Sequence, residues 1–178
     1  VLLLAEPAAA LGMRLIGLDR PGMGRSDPKP GFGLLDWPHD VAEVADQLDI
    51  ERFAVSGLSG GGPFALACAY KIPQRLTACG LISAVAPVAF IQQAGPRGMR
   101  MVYGLLERMP VALFRSLVHR TMRKGARSTE AETEQTLVKN GARLGAGDQK
   151  VLDIPHVRRV YAQTAVESYR QGKAGLDA

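Results

Sequence analysis

The feature that most constrains this chain is a junction. An apolar run, Phe53-Ala54-Val55-Ser56, meets the turn Gly57-Leu58-Ser59-Gly60-Gly61-Gly62, and the Ala-rich stretch Pro63-Phe64-Ala65-Leu66-Ala67-Cys68-Ala69-Tyr70 follows at once. The first run reads as a strand and the last as a helix that Ile72-Pro73 ends. A strand that turns straight into a helix at G-x-S-x-G holds its serine on a sharp, strained bend, so the neighbours two residues away must lack a Cβ. Gly57 and Gly61 meet that need. Ser59 is therefore the candidate nucleophile. The next backbone N–H, that of Gly60, points with the helix N-terminus toward the space where an oxyanion would form. Leu58 is a candidate to touch substrate or to fill the turn, and Gly62 permits close approach of substrate or chain. A phosphate-binding loop shares the strand, turn and helix. That reading lacks support, because neither G-x-x-x-x-G-K-[ST] nor a neighbouring Lys is present.

The flanking sequence extends the pattern. Arg14-Leu15-Ile16-Gly17-Leu18 reads as a strand feeding a loop rich in turn formers, Asp19 to Asp27. Asp36 is placed to cap a helix that carries Pro38 in its first turn and turns Trp37, Val41, Val44, Ala45 and Leu48 inward. Ala78 to Ile82 is a third apolar strand, with the composition of one covered on both faces. Strand and helix in alternation specify an α/β fold with a parallel sheet. From about Val88 the pattern turns helical: Met99 to Met109, Val111 to Lys124, a segment opened by the capping-box pair Thr129 and Glu132, and a last one from Asp153 to Gln171 closed by Gly172. The expected division is a core over 1–87 and a helical region over 88–178.

Composition removes several function classes. With 178 residues, 47% of them hydrophobic and 22% charged, the chain can build a core and is too apolar for disorder. No apolar run approaches the roughly 18 to 20 residues of a membrane span. Cys68 and Cys79 fall in apolar stretches, which favours two buried thiols in a reducing cytoplasm over a disulfide framework or a metal site. The net charge of +5 raises the question of nucleic acid, but aromatics are only 6% and no basic-aromatic motif occurs. The cluster Arg97, Arg100, Arg108, Arg115, Arg120, Arg123, Lys124 and Arg127, opposed locally by Glu107 alone, reads as a solvated helical face. No nucleic acid, membrane, metal or cofactor is expected as a partner. Val1 to Leu4 carries no initiator Met or basic leader, so both ends read as cuts; the segment is open to two readings, a strand remnant or, as its unbranched leucines suit slightly better, part of a helix.

Two separated motifs, Arg14-Leu-Ile-Gly-Leu-Asp-Arg-Pro-Gly-Met-Gly-Arg-Ser26 and Phe53-Ala-Val-Ser-Gly-Leu-Ser-Gly-Gly-Gly-Pro63, resemble the α/β-hydrolase superfamily in sequence and spacing. The resemblance is closest over residues 13 to 87. Beyond them the helices look like the family's variable cap, and Tyr169-Arg170-Gln171-Gly172 looks like the exit from it. The resemblance implies an incomplete α/β-hydrolase fold, a parallel sheet core with an inserted helical cap, in the branch with a serine nucleophile. It also implies an esterase-like enzyme for ester, thioester or amide bonds in a small-molecule acyl substrate. Acyl transfer, perhydrolysis and lyase chemistry use the same fold. A catalytically inactive fragment or a binding module is the non-enzymatic reading.

A serine hydroxyl needs a base and, behind it, an acid. His39, His119 and His156 do not follow a late strand, where the family keeps its base, and Ser83-Ala84-Val85-Ala86-Pro87 offers no carboxylate after the third strand. Asp148, Asp153 and Asp177 read as turn or capping residues, and Asp19 and Asp27 as braces of their own loop. Base and acid are expected beyond Ala178, and the second oxyanion loop before Val1. The family's central strand, which lies between the strands of Arg14 to Leu18 and Phe53 to Ser56, has no counterpart either, so open apolar sheet edges are expected.

Overall fold

The structure, a computed structural model, describes residues 2–141 and 144–172, and for Leu2 the backbone alone. Asp177 lies outside the described residues. In chain order the elements are α1 (Ala5–Ala10), α2 (Trp37–Gln47), β1 (Phe53–Leu58), α3 (Gly62–Lys71), β2 (Leu76–Ile82), α4 (Val88–Ala94), α5 (Arg97–Arg108), α6 (Val111–Arg127), α7 (Glu130–Gly141), α8 (Ala146–Leu152) and α9 (Pro155–Ser168). Short 3-10 turns occupy Leu2–Leu4, Ser59–Gly61 and Pro73–Arg75. The fold is α/β, mostly helical, with a small sheet. The chain divides into two compact units, Val1–Pro30 with Arg115–Ala178, and Gly31–Phe114.

The second of these units contains the sheet. β1 and β2 run parallel, Leu58 opposite Ile82, and α3 makes the crossover that parallel strands require. α3 packs on both strands and α2 packs on α3. Trp37, Val41, Cys68 and Ile72 form the buried cluster, with Phe32, Phe53, Val55, Phe64 and Leu76 against it. The Phe64 ring stacks on Phe32 at 6.4 Å between centroids and meets Trp37 edge-on at 6.0 Å. Such pairs add to the apolar burial that holds the layers together. Pro38 sits in the first turn of α2, where its missing N–H costs nothing.

Several expectations need correction. Asp36 does not cap α2 through its side chain: its own backbone is already helical, and its carboxylate accepts the Gly33 N–H at 2.7 Å behind it. Leu48 follows the last turn of α2 and is exposed rather than inward-facing. Arg14 to Leu18 forms no strand, and Leu15, Ile16 and Leu18 are exposed. A strand exists through its ladder, and among the described residues the sheet has only two members. β2 is not covered on both faces either, with Leu81 47% and Ile82 51% exposed, because among the described residues α3 is the helix that packs closely on these strands. The cysteines differ accordingly. Cys68 on α3 is sealed, whereas Cys79 on β2 is exposed even as its thiol leans on the Ala65 carbonyl at 3.6 Å.

The other unit is helical. Ala8, Met122, Val160 and Ala162 are buried there, and α7 packs along α9. The capping box at α7 is present in both directions: Glu132 N–H donates to Thr129 Oγ1 at 3.2 Å, and Thr129 N–H donates to Glu132 Oε2 at 2.9 Å. Leu2–Leu4 is helical, in line with its unbranched leucines. The loop after Leu18 braces itself, with Asp19 accepting from the Arg25 N–H at 3.3 Å and from Ser26 Oγ at 2.8 Å. Gln171 then donates to the carbonyls of Gly24 and Ser26, and Arg25 pairs with Glu167 at 2.9 Å. The Arg25 hydrogen bond, followed by that of Arg170, holds the Glu167 carboxyl below its ordinary range. Helices α4 and α8 were not expected from periodicity. Each spans seven residues, too short for a helical period to declare itself.

Burial, with a smaller contribution from nearby Cys79, pushes the Cys68 thiol up to about 11. A native-state alkylation experiment read by mass spectrometry should modify Cys79 and spare Cys68 until the protein unfolds. Because the folded thiol holds its proton longer than the ordinary value of 9.0, the Cys68 contribution to stability is intact below pH 9.0 and is lost as pH rises toward 11. Urea midpoints of Cys68→Ala across that window should show a shallower pH slope than the parent.

Candidate active site

β1 delivers the chain to the turn in an extended conformation, with Leu58 at φ −95 and ψ 133, and Gly62 opens α3 at φ −57 and ψ −49. Between them Ser59 stands at φ +50, in the left-handed region that a residue with a Cβ enters at a cost of roughly 1–3 kcal/mol. Its side chain is exposed at the end of the strand, and Leu58 beside it is 65% exposed.

The glycines do not share the steric burden as expected. A Cβ on Gly57 would lie 2.2 Å from the Gly61 carbonyl oxygen, and one on Gly62 would lie 2.3 Å from the Ala84 Cβ. A Cβ on Gly60 or Gly61 would meet nothing within 4 Å. Gly57 is thus required because the turn folds back over it, and Gly61 is not crowded at all. Gly62 admits chain, in the form of the loop after β2. That loop, Ser83 to Val85, escaped the sequence reading, which searched it only for a carboxylate. It bends at Ser83, φ +45, and the Val85 N–H donates to the Ser59 carbonyl at 3.0 Å. The available signal was a run of small residues directly after an apolar strand.

α3 presents its N-terminus to the turn, so the partial positive charge of its first N–H groups favours negative charge there. No hydrogen bond joins the Ser59 hydroxyl to a histidine or a carboxylate among the described residues. His39 is exposed on α2, His119 half-buried on α6, and His156 exposed on α9. Met122 is buried in the helical unit, while Met99, Met101, Phe90 and Phe114 are exposed. An open cavity of about 420 Å³ lies in the helical unit, with Asp19, Glu130 and Glu167 among its walls and no histidine. No group of three or more His, Cys, Asp or Glu side chains suited to a metal occurs among the described residues. No helix there is long and apolar enough to cross a membrane.

A parallel strand, a left-handed serine and a helix in unbroken succession define an α/β protein with an elbow turn at the sheet end. The chain matches the model of the alpha/beta hydrolase fold family over residues 3–171, and it belongs to that family. It is 41% identical over 73 residues to a 2-hydroxy-6-oxononadienedioate/2-hydroxy-6-oxononatrienedioate hydrolase of Cupriavidus pinatubonensis, covering 40% of this chain and 25% of that protein. It is 38% identical over 90 residues to a non-heme chloroperoxidase of Streptomyces lividans, covering 49% and 33%. A third match, 38% over 79 residues, is the dihydrolipoyllysine-residue acetyltransferase component of an acetoin cleaving system of Pseudomonas putida, covering 44% and 21%. The chain thus spans about a third or less of the length of these relatives. No solved structure gives a significant match.

The geometry ranks the turn substitutions. Gly57→Ala should destabilise by about 2 kcal/mol or more, through overpacking against backbone, whereas Gly61→Ala should change stability by less than about 1 kcal/mol. Ser59→Gly, which releases the left-handed strain, should stabilise by roughly 1 kcal/mol. Chemical denaturation of the three variants beside the parent measures all of these.

Proposed function

We propose that the protein containing this chain is a serine hydrolase acting on a small-molecule acyl substrate, an ester, thioester or amide, with Ser59 as nucleophile. Ser59 attacks the carbonyl carbon, a general base takes its proton, and the Gly60 N–H helps hold the oxyanion. The tetrahedral intermediate collapses by breaking the bond to the alcohol, thiol or amine, which leaves with the proton held by the base; water then attacks the acyl-enzyme, releases the acid and restores the serine. The observation that carries this reading is the left-handed backbone of Ser59 between strand and helix. Strain of that kind persists where the surrounding structure enforces it and clusters at functional sites. The helix N-terminus beyond the turn, favourable to developing negative charge, supports it. So does membership of a family whose matched relatives include a hydrolase. In this reading Gly57 and Gly61 belong to the elbow, Leu58 contacts the substrate, and residues 88–178 form the cap over a core of 1–87.

The relatives also favour a second reading. One is named a chloroperoxidase and one an acetyltransferase component. An acyl-enzyme intercepted by peroxide or by another acceptor in place of water would give perhydrolysis or acyl transfer on the same serine.

In full-length protein a fluorophosphonate probe should label Ser59, and Ser59→Ala should abolish both labelling and turnover of nitrophenyl esters. Turnover that survives the substitution would refute the covalent-serine mechanism. Product analysis with water, alcohol and peroxide in competition separates hydrolysis from the second reading, which requires peracid or transferred ester to exceed free acid.

A further inference from the structure

The loop after β2 is joined to the turn through one particular carbonyl. β1 and β2 are in parallel register up to Leu58 opposite Ile82, so the next residues, Ser59 and Ser83, leave the sheet side by side. Both adopt positive φ, 50 and 45. The second bend carries Ala84 over Gly62, where only a glycine leaves room for it, and brings the Val85 N–H to the Ser59 carbonyl oxygen at 3.0 Å. That oxygen also accepts the Gly62 N–H inside the turn, which makes Val85 its donor from outside.

The Ser59 carbonyl and the Gly60 N–H belong to one peptide unit. The unit is planar and trans, so its C=O and N–H point in opposite directions, and fixing one aims the other. We infer that the Val85 N–H is a positioning group for catalysis: by holding the Ser59 carbonyl it aims the Gly60 N–H at the developing oxyanion. This rests on the serine-hydrolase reading. The value of an oxyanion donor lies in being oriented before the charge appears, so that no reorganisation accompanies the reaction. A donor on a free glycine turn would lose that advantage. A Cβ on Gly60 would meet nothing within 4 Å, so no packing at that position orients it, and the peptide it shares with Ser59 is held by the Gly62 and Val85 donors.

The test removes the N–H and little else. In full-length protein, Val85 is replaced by its α-hydroxy acid analogue, which puts an ester oxygen in place of the N–H and keeps the side chain. Val85→Ala, which keeps the N–H, is the control, and thermal unfolding confirms that each variant is folded. The expected result is a fall in kcat of about tenfold or more with KM within about twofold, because the lost interaction is made in the transition state. Affinity for a trifluoromethyl ketone, which forms a tetrahedral oxyanion on the serine, should fall by a similar factor. Val85→Ala, which keeps the N–H, should lose clearly less than the ester variant on both readouts. An ester variant with unchanged kcat and unchanged ketone affinity, in a protein that Ser59→Ala inactivates, overturns the inference. Turnover that persists in Ser59→Ala overturns instead the hydrolase reading on which it rests.

Discussion

The close approach of the Gly57 backbone to the Gly61 carbonyl is what the strand-to-helix turn depends on. Space for 2.2 Å between that oxygen and an absent Cβ exists only at a glycine. With it, the chain leaves β1 and starts α3 within three residues, and Ser59 is left at positive φ at the sheet end. Remove that contact and the helix start, the serine and the carbonyl that Val85 grips all shift together. The strain at Ser59 is sustained from both sides, by the extended strand before it and by the Phe64, Trp37 and Cys68 packing that fixes the helix after it.

The sheet is narrow for such a turn. Two parallel strands with a helical layer on one face leave Leu81, Ile82 and Leu58 open to solvent, and parallel sheets are ordinarily covered on both faces. Among the described residues the sheet is carried by one local unit of strand, turn, crossover helix and neighbouring strand. Its contacts are close in sequence, and it holds the geometry of the turn.

Sequence reading recovered the elements whose signals are local. Phe53 to Ser56, Pro63 to Tyr70 and Ala78 to Ile82 were legible as strand, helix and strand, inside the observed Phe53–Leu58, Gly62–Lys71 and Leu76–Ile82, because apolar runs bounded by glycine and proline have few other uses. The Thr129–Glu132 capping box was legible for the same reason. Arg14 to Leu18 misled because strand propensity says nothing about whether a partner is present. Asp36 misled because a capping residue must itself lie outside the helical region, which composition does not reveal. At the turn, the strained bend at Ser59 and the crowding at Gly57 were readable from spacing. Gly61 was assigned a crowding that belongs to Gly62, since the crowding partner, Ala84, is remote in sequence and reaches Gly62 only through the bend at Ser83.

The contact between Gly62 and Ala84 also bears on how such a chain can change over time. One position begins a helix and the other follows a strand, yet a side chain at 62 would run into Ala84 and push on the bend beside the serine. Change at 62 is therefore tied to the path of the chain at 84. Gly60 and Gly61 face open space. The turn thus contains a rigid pair and a permissive pair, and new specificity is more accessible through side chains introduced at the permissive one.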